Sequence, residues 1–138
     1  KNALNYISSS EILVVNGDTY SPVDLNKFYA EGQSVAADVL IAGVRVDNTL
    51  RFGSIEICPD SYQVVHFTEK GISGEGIING GIYYLRSGLF NDIEEDIFSF
   101  EERVLACGDF NVFCIPNNCD FIDIGIPADY LKACDEAF

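Results

Sequence analysis

Two aspartates lie near the ends of predicted strands, Asp18 just past one and Asp123 close to another, where carboxylates could hold a metal ion. Asp18 comes after Asn16-Gly17 at the end of the apolar run EILVV, and Asp123 is the one charge in the apolar segment FIDIGIP. A charge among apolar neighbours is costly unless it is paired or metal-bound. Two such carboxylates would suit Mg²⁺, which prefers oxygen ligands and keeps substrate phosphates in its shell. The simpler alternatives are a turn aspartate that bonds its own backbone for Asp18, and an exposed strand face for Asp123.

The dipeptide Glu69-Lys70 ends the predicted strand VVHFTEK and joins an acceptor to a cation. The lysine could neutralise a phosphate, and the glutamate could accept hydrogen bonds from sugar hydroxyls. The alternative is a solvated surface charge pair, which would contribute little to stability.

A glycine-rich stretch runs from Gly71 to Gly81. It lacks the Lys-Ser/Thr ending of a phosphate-binding P-loop and does not fit the dinucleotide pattern G-x-G-x-x-G. Asn79 beside Gly80 and Gly81 would let the backbone approach a polar ligand closely. The alternative for this stretch is a β-bulge.

Composition limits the partners. The 138 residues predict one domain, and a formal charge of −14, from 22 acidic and 8 basic side chains, repels nucleic acid and anionic membranes. No apolar run reaches the length of a membrane span. A phosphorylated small substrate would need local cations or a bound metal. Five cysteines without C-x-x-C spacing predict reduced thiols and hence a cytoplasmic protein.

Strands and helices alternate along the chain. Strands are predicted at 11–15, 35–46, 53–57, 63–69, 76–85, 110–115 and 120–124. Helices are predicted at 23–31, at 99–107 with Glu101 and Glu102 in the first turn, and from Pro127 to the end. This order predicts an α/β domain with a mostly parallel or mixed sheet, whose ligands bind beyond the carboxyl ends of its strands.

Six segments in order resemble a known family. They are ILVVNGDTY, VDL, RFGSIEI, VVHFTEK, INGGIYYL and FIDIGIPADYLKA. Over nearly its whole length the chain resembles the sugar-1-phosphate nucleotidyltransferases, most closely the heptose-1-phosphate and mannose-1-phosphate guanylyltransferase branch. The resemblance implies a Rossmann-like mixed sheet flanked by helices. It also implies transfer of a nucleoside monophosphate from an NTP, GTP in that branch, to a sugar 1-phosphate, which supplies polysaccharide precursors.

The resemblance also implies roles for individual residues. Asp18 and Asp123 match two Mg²⁺-binding aspartates, and Lys70 matches the phosphate-binding lysine; these three form the implied catalytic set. The further matches that bind the sugar are Gly53 through its backbone, Glu69 as the hydroxyl acceptor, and Asn79 and Gly81 on the strand that lines the pocket.

The family's N-terminal glycine-rich loop and its P-K-P segment have no match in this sequence. We therefore expect residues 1–138 to be a single unit, the C-terminal portion of a nucleotidyltransferase domain, inactive or partial by itself. The alternative is a non-catalytic sugar-phosphate-binding or assembly module. The strand at 12–15 would present an unpaired apolar edge. Self-association or pairing with an N-terminal fragment is then expected, unless a helix around 2–7 covers that edge.

Overall fold

The computed structural model describes residues 2–136. These residues contain eight strands and two α-helices, together with short 3₁₀ segments at Asn2–Tyr6 and Ser87–Asp92 and a single π-helical turn at Glu101–Leu105. In chain order the strands and helices are β1 (Glu11–Val15), β2 (Thr19–Tyr20), α1 (Leu25–Ser34), β3 (Val39–Val46), β4 (Ser54–Ile57), β5 (Val64–Thr68), β6 (Gly76–Arg86), β7 (Val112–Asn117), β8 (Ile122–Asp123) and α2 (Pro127–Glu136).

A mixed four-stranded sheet in the order β1-β6-β3-β7 forms the centre of the fold. Strand β6 runs antiparallel to both β1 and β3, while β3 and β7 are parallel. The apolar run from Val39 to Val44 is fully buried in β3, as expected for a strand covered on both faces. The predicted α/β fold with a mixed sheet is confirmed.

Helix α1 packs on one face of this sheet. Asp24 caps its N-terminus by accepting hydrogen bonds from the backbone amides of Asn26 and Lys27, at 3.0 and 3.1 Å. Phe28 then packs into a cluster with the sheet residues Leu40 and Tyr84. The other face of the sheet is covered by the larger core cluster, which includes residues of the π-helical turn.

Two short antiparallel units complete the fold. Strands β4 and β5 form a hairpin whose turn is closed by the amide of Tyr62, which donates to the carbonyl of Cys58. Strands β2 and β8 form a two-residue ribbon in which Thr19 pairs with Asp123. These two units carry most of the residues that the sequence singled out for chemistry.

Several boundaries differ from those predicted. Helix α1 begins after its cap at Asp24 and extends to Ser34 instead of covering 23–31. The segment predicted as a helix at 99–107 forms only the π-helical turn Glu101–Leu105. Strand β7 continues through Pro116, which is tolerated because β7 lies at the edge of the sheet and an edge strand needs no second hydrogen-bond donor there.

The helices of the described residues are all too short and too polar to cross a membrane.

Candidate functional site

One cavity of about 620 Å³ gathers four of the residues predicted to bind substrate. Gly53, Glu69, Lys70 and Asn79 all line it, although they come from three separate parts of the chain. The ends of the β4–β5 hairpin, strand β6 and the π-helical turn form its walls. The apolar part of the lining consists of Phe52, Ile55, Phe67, Leu105 and Ala106.

Gly53 allows the close backbone approach at one wall of this cavity. Its φ of +75° lies in the region that L side chains rarely adopt, and an added Cβ would lie 2.5 Å from the carbonyl oxygen of Thr68. The amide of Gly53 donates to the carbonyl of Thr49 at 3.0 Å, which fixes the loop. Only glycine fits here, because the loop passes directly over the end of β5.

Glu69 and Lys70 follow β5 at the rim of the cavity. Both are exposed, and within residues 2–136 neither side chain forms a hydrogen bond or an ion pair. They therefore do not pair with each other. A carboxylate acceptor and an ammonium donor are both available to a ligand in the cavity.

Asn79 lies at a β-bulge where the pairing of β3 and β6 shifts register between Ile41 and Gly43. Its side chain spans the bulge, donating to the hydroxyl of Tyr83 at 2.7 Å and accepting from the amide of Gly81 at 3.0 Å. The bulge that the sequence left as an alternative is thus present, and Asn79 lines the cavity as well. Burial raises the pKa of the Tyr83 hydroxyl, which keeps it a neutral partner for Asn79.

Gly81 lies beside the turn that precedes β2. It does not line the cavity; its carbonyl accepts a hydrogen bond from the amide of Asn16 at 2.8 Å. With φ +74°, an added Cβ would lie 2.6 Å from Oγ1 of Thr19. Gly81 therefore makes room for the turn that presents Asp18.

Asp18 and Asp123 are brought to neighbouring backbone positions by the β2–β8 ribbon. The carbonyl of Asp18 accepts from the amide of Ile124 at 2.9 Å, one step from the Thr19–Asp123 pair. The Asp18 side chain is exposed and has no hydrogen bond or ion pair within the described part of the chain. Oδ1 of Asp123 accepts from the amide of Gly125 at 3.0 Å. The Asp123 side chain therefore has a hydrogen-bond partner, whereas the Asp18 side chain has none in the described part of the chain.

These two carboxylates fit a magnesium ion by their chemistry. Mg²⁺ is usually bound through one or two carboxylates, substrate phosphates and water, without a full protein cage. Residues 2–136 contain no group of three or more His, Cys, Asp or Glu side chains arranged to hold a metal. A site of two aspartates completed by phosphate oxygens agrees with this usual coordination of Mg²⁺.

The sequence did not identify Glu101 and Glu102 as residues of the site. Both line the cavity from the π-helical turn, so it holds three carboxylates around one lysine. Their only sequence signal was two acidic residues in the first turn of a predicted helix. Helical periodicity does not reveal a single π-helical turn. The sequence therefore could not predict that Glu101 and Glu102 line the cavity.

A second cavity, of about 1150 Å³, shares Ser54 and Ile55 of β4 with the first and is the larger of the two. Its charged lining consists of Arg45 and four carboxylates, those of Asp47, Glu56, Glu75 and Asp120. Both cavities hold more carboxylates than cations, but the smaller one is the less negative, with three carboxylates against four. It also holds four of the residues predicted to bind substrate, so it is the better candidate for a phosphorylated ligand.

Comparison with known proteins identifies the family of this chain. Residues 1–136 match the model of the nucleotidyl transferase family. The chain is 36% identical over 137 residues to a D-glycero-alpha-D-manno-heptose 1-phosphate guanylyltransferase from Aneurinibacillus thermoaerophilus, covering 96% of this chain and 58% of that protein.

Solved structures show the same relationship. The crystal structure of HddC from Yersinia pseudotuberculosis superposes with a TM-score of 0.86 at 42% identity, covering 99% of this chain and 60% of that one. A structure of the same protein with GMP-PN gives the same values. The chain thus spans less than two thirds of the length of the relatives it matches. With its match over residues 1–136 and this shared fold, the chain belongs to the nucleotidyl transferase family.

Proposed function

We propose that this chain carries the sugar-phosphate-binding part of a sugar-1-phosphate nucleotidyltransferase of the heptose or mannose 1-phosphate guanylyltransferase type. The observation that carries the proposal is the cavity in which Lys70, Glu69, Asn79 and the backbone of Gly53 meet. Its relative from Aneurinibacillus is named for a heptose 1-phosphate, and the Yersinia relative has been crystallised with GMP-PN.

The charges of the cavity suit a sugar 1-phosphate. Lys70 is the one basic side chain among the residues that line it, so the phosphate binds at that end of the cavity. The carboxylates of Glu69, Glu101 and Glu102 are acceptors for sugar hydroxyls, whereas a second phosphate would be repelled by them. The apolar wall at Phe52 and Phe67 packs against the carbon face of the ring.

The reaction that the family resemblance implies is direct transfer. An oxygen of the sugar phosphate attacks the α-phosphorus of the nucleoside triphosphate in line, and pyrophosphate leaves without a covalent enzyme intermediate. Asp18 and Asp123 would hold Mg²⁺, which supplies positive charge against the phosphate oxygens. Lys70 orients the attacking phosphate, and the residues of the cavity hold the sugar in place.

We further propose that β1 pairs with a strand supplied from outside these residues. Within the described chain β1 pairs only with β6, and Val14 and Val15 are 40% and 51% exposed. The 3₁₀ segment before β1 leaves Tyr6 91% exposed. Unpaired edges of apolar strands associate with other chains. Size exclusion with light scattering should therefore detect association at micromolar concentration, and a clean monomer without a companion peptide would refute it.

The binding function is tested with a panel of small ligands. Amide chemical shifts of the 138-residue chain are followed during titration with mannose 1-phosphate, D-glycero-alpha-D-manno-heptose 1-phosphate, free mannose and inorganic phosphate. We expect the two sugar 1-phosphates to shift the amide signals of Gly53, Lys70 and Asn79. They should also bind more tightly than free mannose or inorganic phosphate. Saturable shifts confined to residues outside the cavity would contradict the proposal.

Catalysis by these 138 residues alone is a separate question. Since the chain matches only 58% of its curated relative, we expect it to release no pyrophosphate from GTP and mannose 1-phosphate in the presence of Mg²⁺. Release that is abolished by Asp18→Ala would show that these residues form a complete enzyme. Binding without release agrees with a partial enzyme or with a non-catalytic binding module.

A further inference from the structure

Arg51 forms ion pairs with two aspartates, Asp123 and Asp129, which belong to different elements. Its Nη1 lies 2.9 Å from Oδ2 of Asp129 in α2, and its Nη2 lies 3.4 Å from Oδ2 of Asp123 in β8. The side chain of Arg51 is 44% exposed, and those of Asp123 and Asp129 are 28% and 29% exposed. A surface ion pair of this kind contributes little to stability. Its position at a candidate metal ligand suggests another role.

The loop that carries Arg51 is firmly held. Thr49 is buried, and its Oγ1 donates to the carbonyls of Ile72 and Gly74 at 3.0 and 3.1 Å. The carbonyl of Leu50 accepts from the amide of Gly71 at 2.9 Å. On the other side of Arg51, the amide of Phe52 donates to the carbonyl of Thr49 at 2.9 Å. The backbone of Arg51 is therefore held on both sides.

Aromatic contacts hold the guanidinium close to the strand of Asp123. The guanidinium carbon lies 5.0 Å from the ring centre of Phe52. That ring makes an edge-to-face contact with Phe121 at 5.5 Å, two residues before Asp123. The same Phe52 lines the sugar-phosphate cavity. One short segment thus contacts both the cavity and the candidate metal ligand.

We propose that Arg51 is a positioning residue for Asp123, which fixes that carboxylate in the orientation that receives the divalent ion. This inference rests on the metal site of the proposed function. The amide of Gly125 holds Oδ1 of Asp123 and Arg51 holds Oδ2, so both oxygens are oriented, and each keeps a second lone pair for the ion.

The contact with Asp129 determines whether the positive charge of Arg51 favours or opposes the binding of a divalent ion at Asp123. An unbalanced guanidinium would repel a divalent ion at Asp123. The shorter contact of Arg51 is with Asp129, at 2.9 Å against 3.4 Å, so most of its charge is balanced by a carboxylate away from the site. Orientation of Asp123 therefore outweighs repulsion, and removal of Arg51 weakens the binding of the ion.

The test is Mn²⁺ binding to the 138-residue chain, measured by electron paramagnetic resonance of free Mn²⁺. Loss of a residue that orients a metal ligand typically weakens binding by about 10–100-fold. We expect Arg51→Ala to weaken Mn²⁺ binding by about tenfold, and Arg51→Lys to restore part of it. Asp129→Asn should weaken binding less. The double variant should bind no more weakly than Arg51→Ala, because Asp129 acts through Arg51.

Arg103→Ala is the matched control, because Arg103 also bridges two carboxylates, those of Asp109 and Glu95. It should leave Mn²⁺ binding unchanged, and both arginine variants should unfold at similar temperatures without metal. Unchanged or tighter Mn²⁺ binding by Arg51→Ala overturns the inference, provided that Asp123→Asn abolishes binding. If Asp123→Asn has no effect, or the chain binds no Mn²⁺, the proposed metal site fails and this inference fails with it.

Discussion

The hydroxyl of Tyr84 donates a hydrogen bond of 2.7 Å to Oε1 of Glu11, the first residue of β1. The other carboxylate oxygen accepts from the hydroxyl of Tyr29 at 2.8 Å and from the side-chain amide of Gln33 at 2.9 Å. One carboxylate thus connects β1, β6 and α1. The bond from Tyr84 contributes most to holding the pKa of Glu11 below its ordinary value of 4.5, followed by those from Gln33 and Tyr29.

Glu11→Gln should lower the unfolding temperature at neutral pH. It should also make the unfolding temperature depend less on pH in the acid range. Because the pKa of Glu11 is lowered on folding, its contribution is complete above pH 4.5 and is lost as the pH falls through the lower folded value. The unfolding temperature of the wild type should therefore fall more steeply below pH 4.5 than that of the variant. Scanning fluorimetry from pH 7 to pH 3 measures both curves.

Glu31→Gln is the control for Glu11, since within residues 2–136 the only partner of the Glu31 side chain is Lys27, in an ion pair at 3.9 Å. It should behave like the wild type at each pH. Parallel curves for the wild type and Glu11→Gln would show that the Glu11 hydrogen bonds do not stabilise the charged form.

Gly53→Ala should destabilise the chain more than Gly71→Ala. Both glycines have a positive φ, and a side chain there costs roughly 1–2 kcal/mol. An added Cβ at Gly71 meets nothing within 4 Å, whereas at Gly53 it meets the carbonyl of Thr68. Overlap of this kind adds about 1–3 kcal/mol. Urea unfolding should show this difference, and equal costs would mean that the loop at Gly53 moves away freely.

The five cysteines should differ in their reaction with iodoacetamide. All are free thiols; Cys107 and Cys134 are exposed, and Cys114 is buried. Burial raises the pKa of the Cys114 thiol to about 12, and the thiolate is the reactive form. Peptide mass mapping at pH 8 should find the two exposed cysteines labelled in the folded chain and Cys114 only after unfolding in urea. Early labelling of Cys114 in the folded chain would contradict the core packing of β7.

The sequence was sufficient to place residues that follow strands with a clear apolar pattern. Strand β1 has the predicted bounds, and β6 ends one residue beyond them, because long apolar runs leave little choice of structure. Glu69 and Lys70 reach the cavity because they directly follow β5. Local pattern and glycine spacing carry this information.

Features that depend on contacts between distant residues could not be predicted in this way. The β2–β8 ribbon has two residues per strand, too few for any periodicity, yet it pairs Thr19, the residue after Asp18, with Asp123. The ion pairs of Arg51 span 72 and 78 residues of sequence. Gly81 matched a pocket residue by resemblance, but its positive φ serves the turn at Asn16.

Lys70 is the residue on which the proposed sugar-phosphate site depends most directly. Titration calorimetry with mannose 1-phosphate compares the wild type, Lys70→Met and Lys27→Met, the last being a lysine on α1 outside the cavity. A hydrogen bond to a charged group contributes about 1.5–3 kcal/mol, so Lys70→Met should weaken binding by roughly 10–100-fold. Lys27→Met should bind like the wild type. Equal binding by the wild type and Lys70→Met would contradict the assignment of this cavity to the phosphorylated sugar.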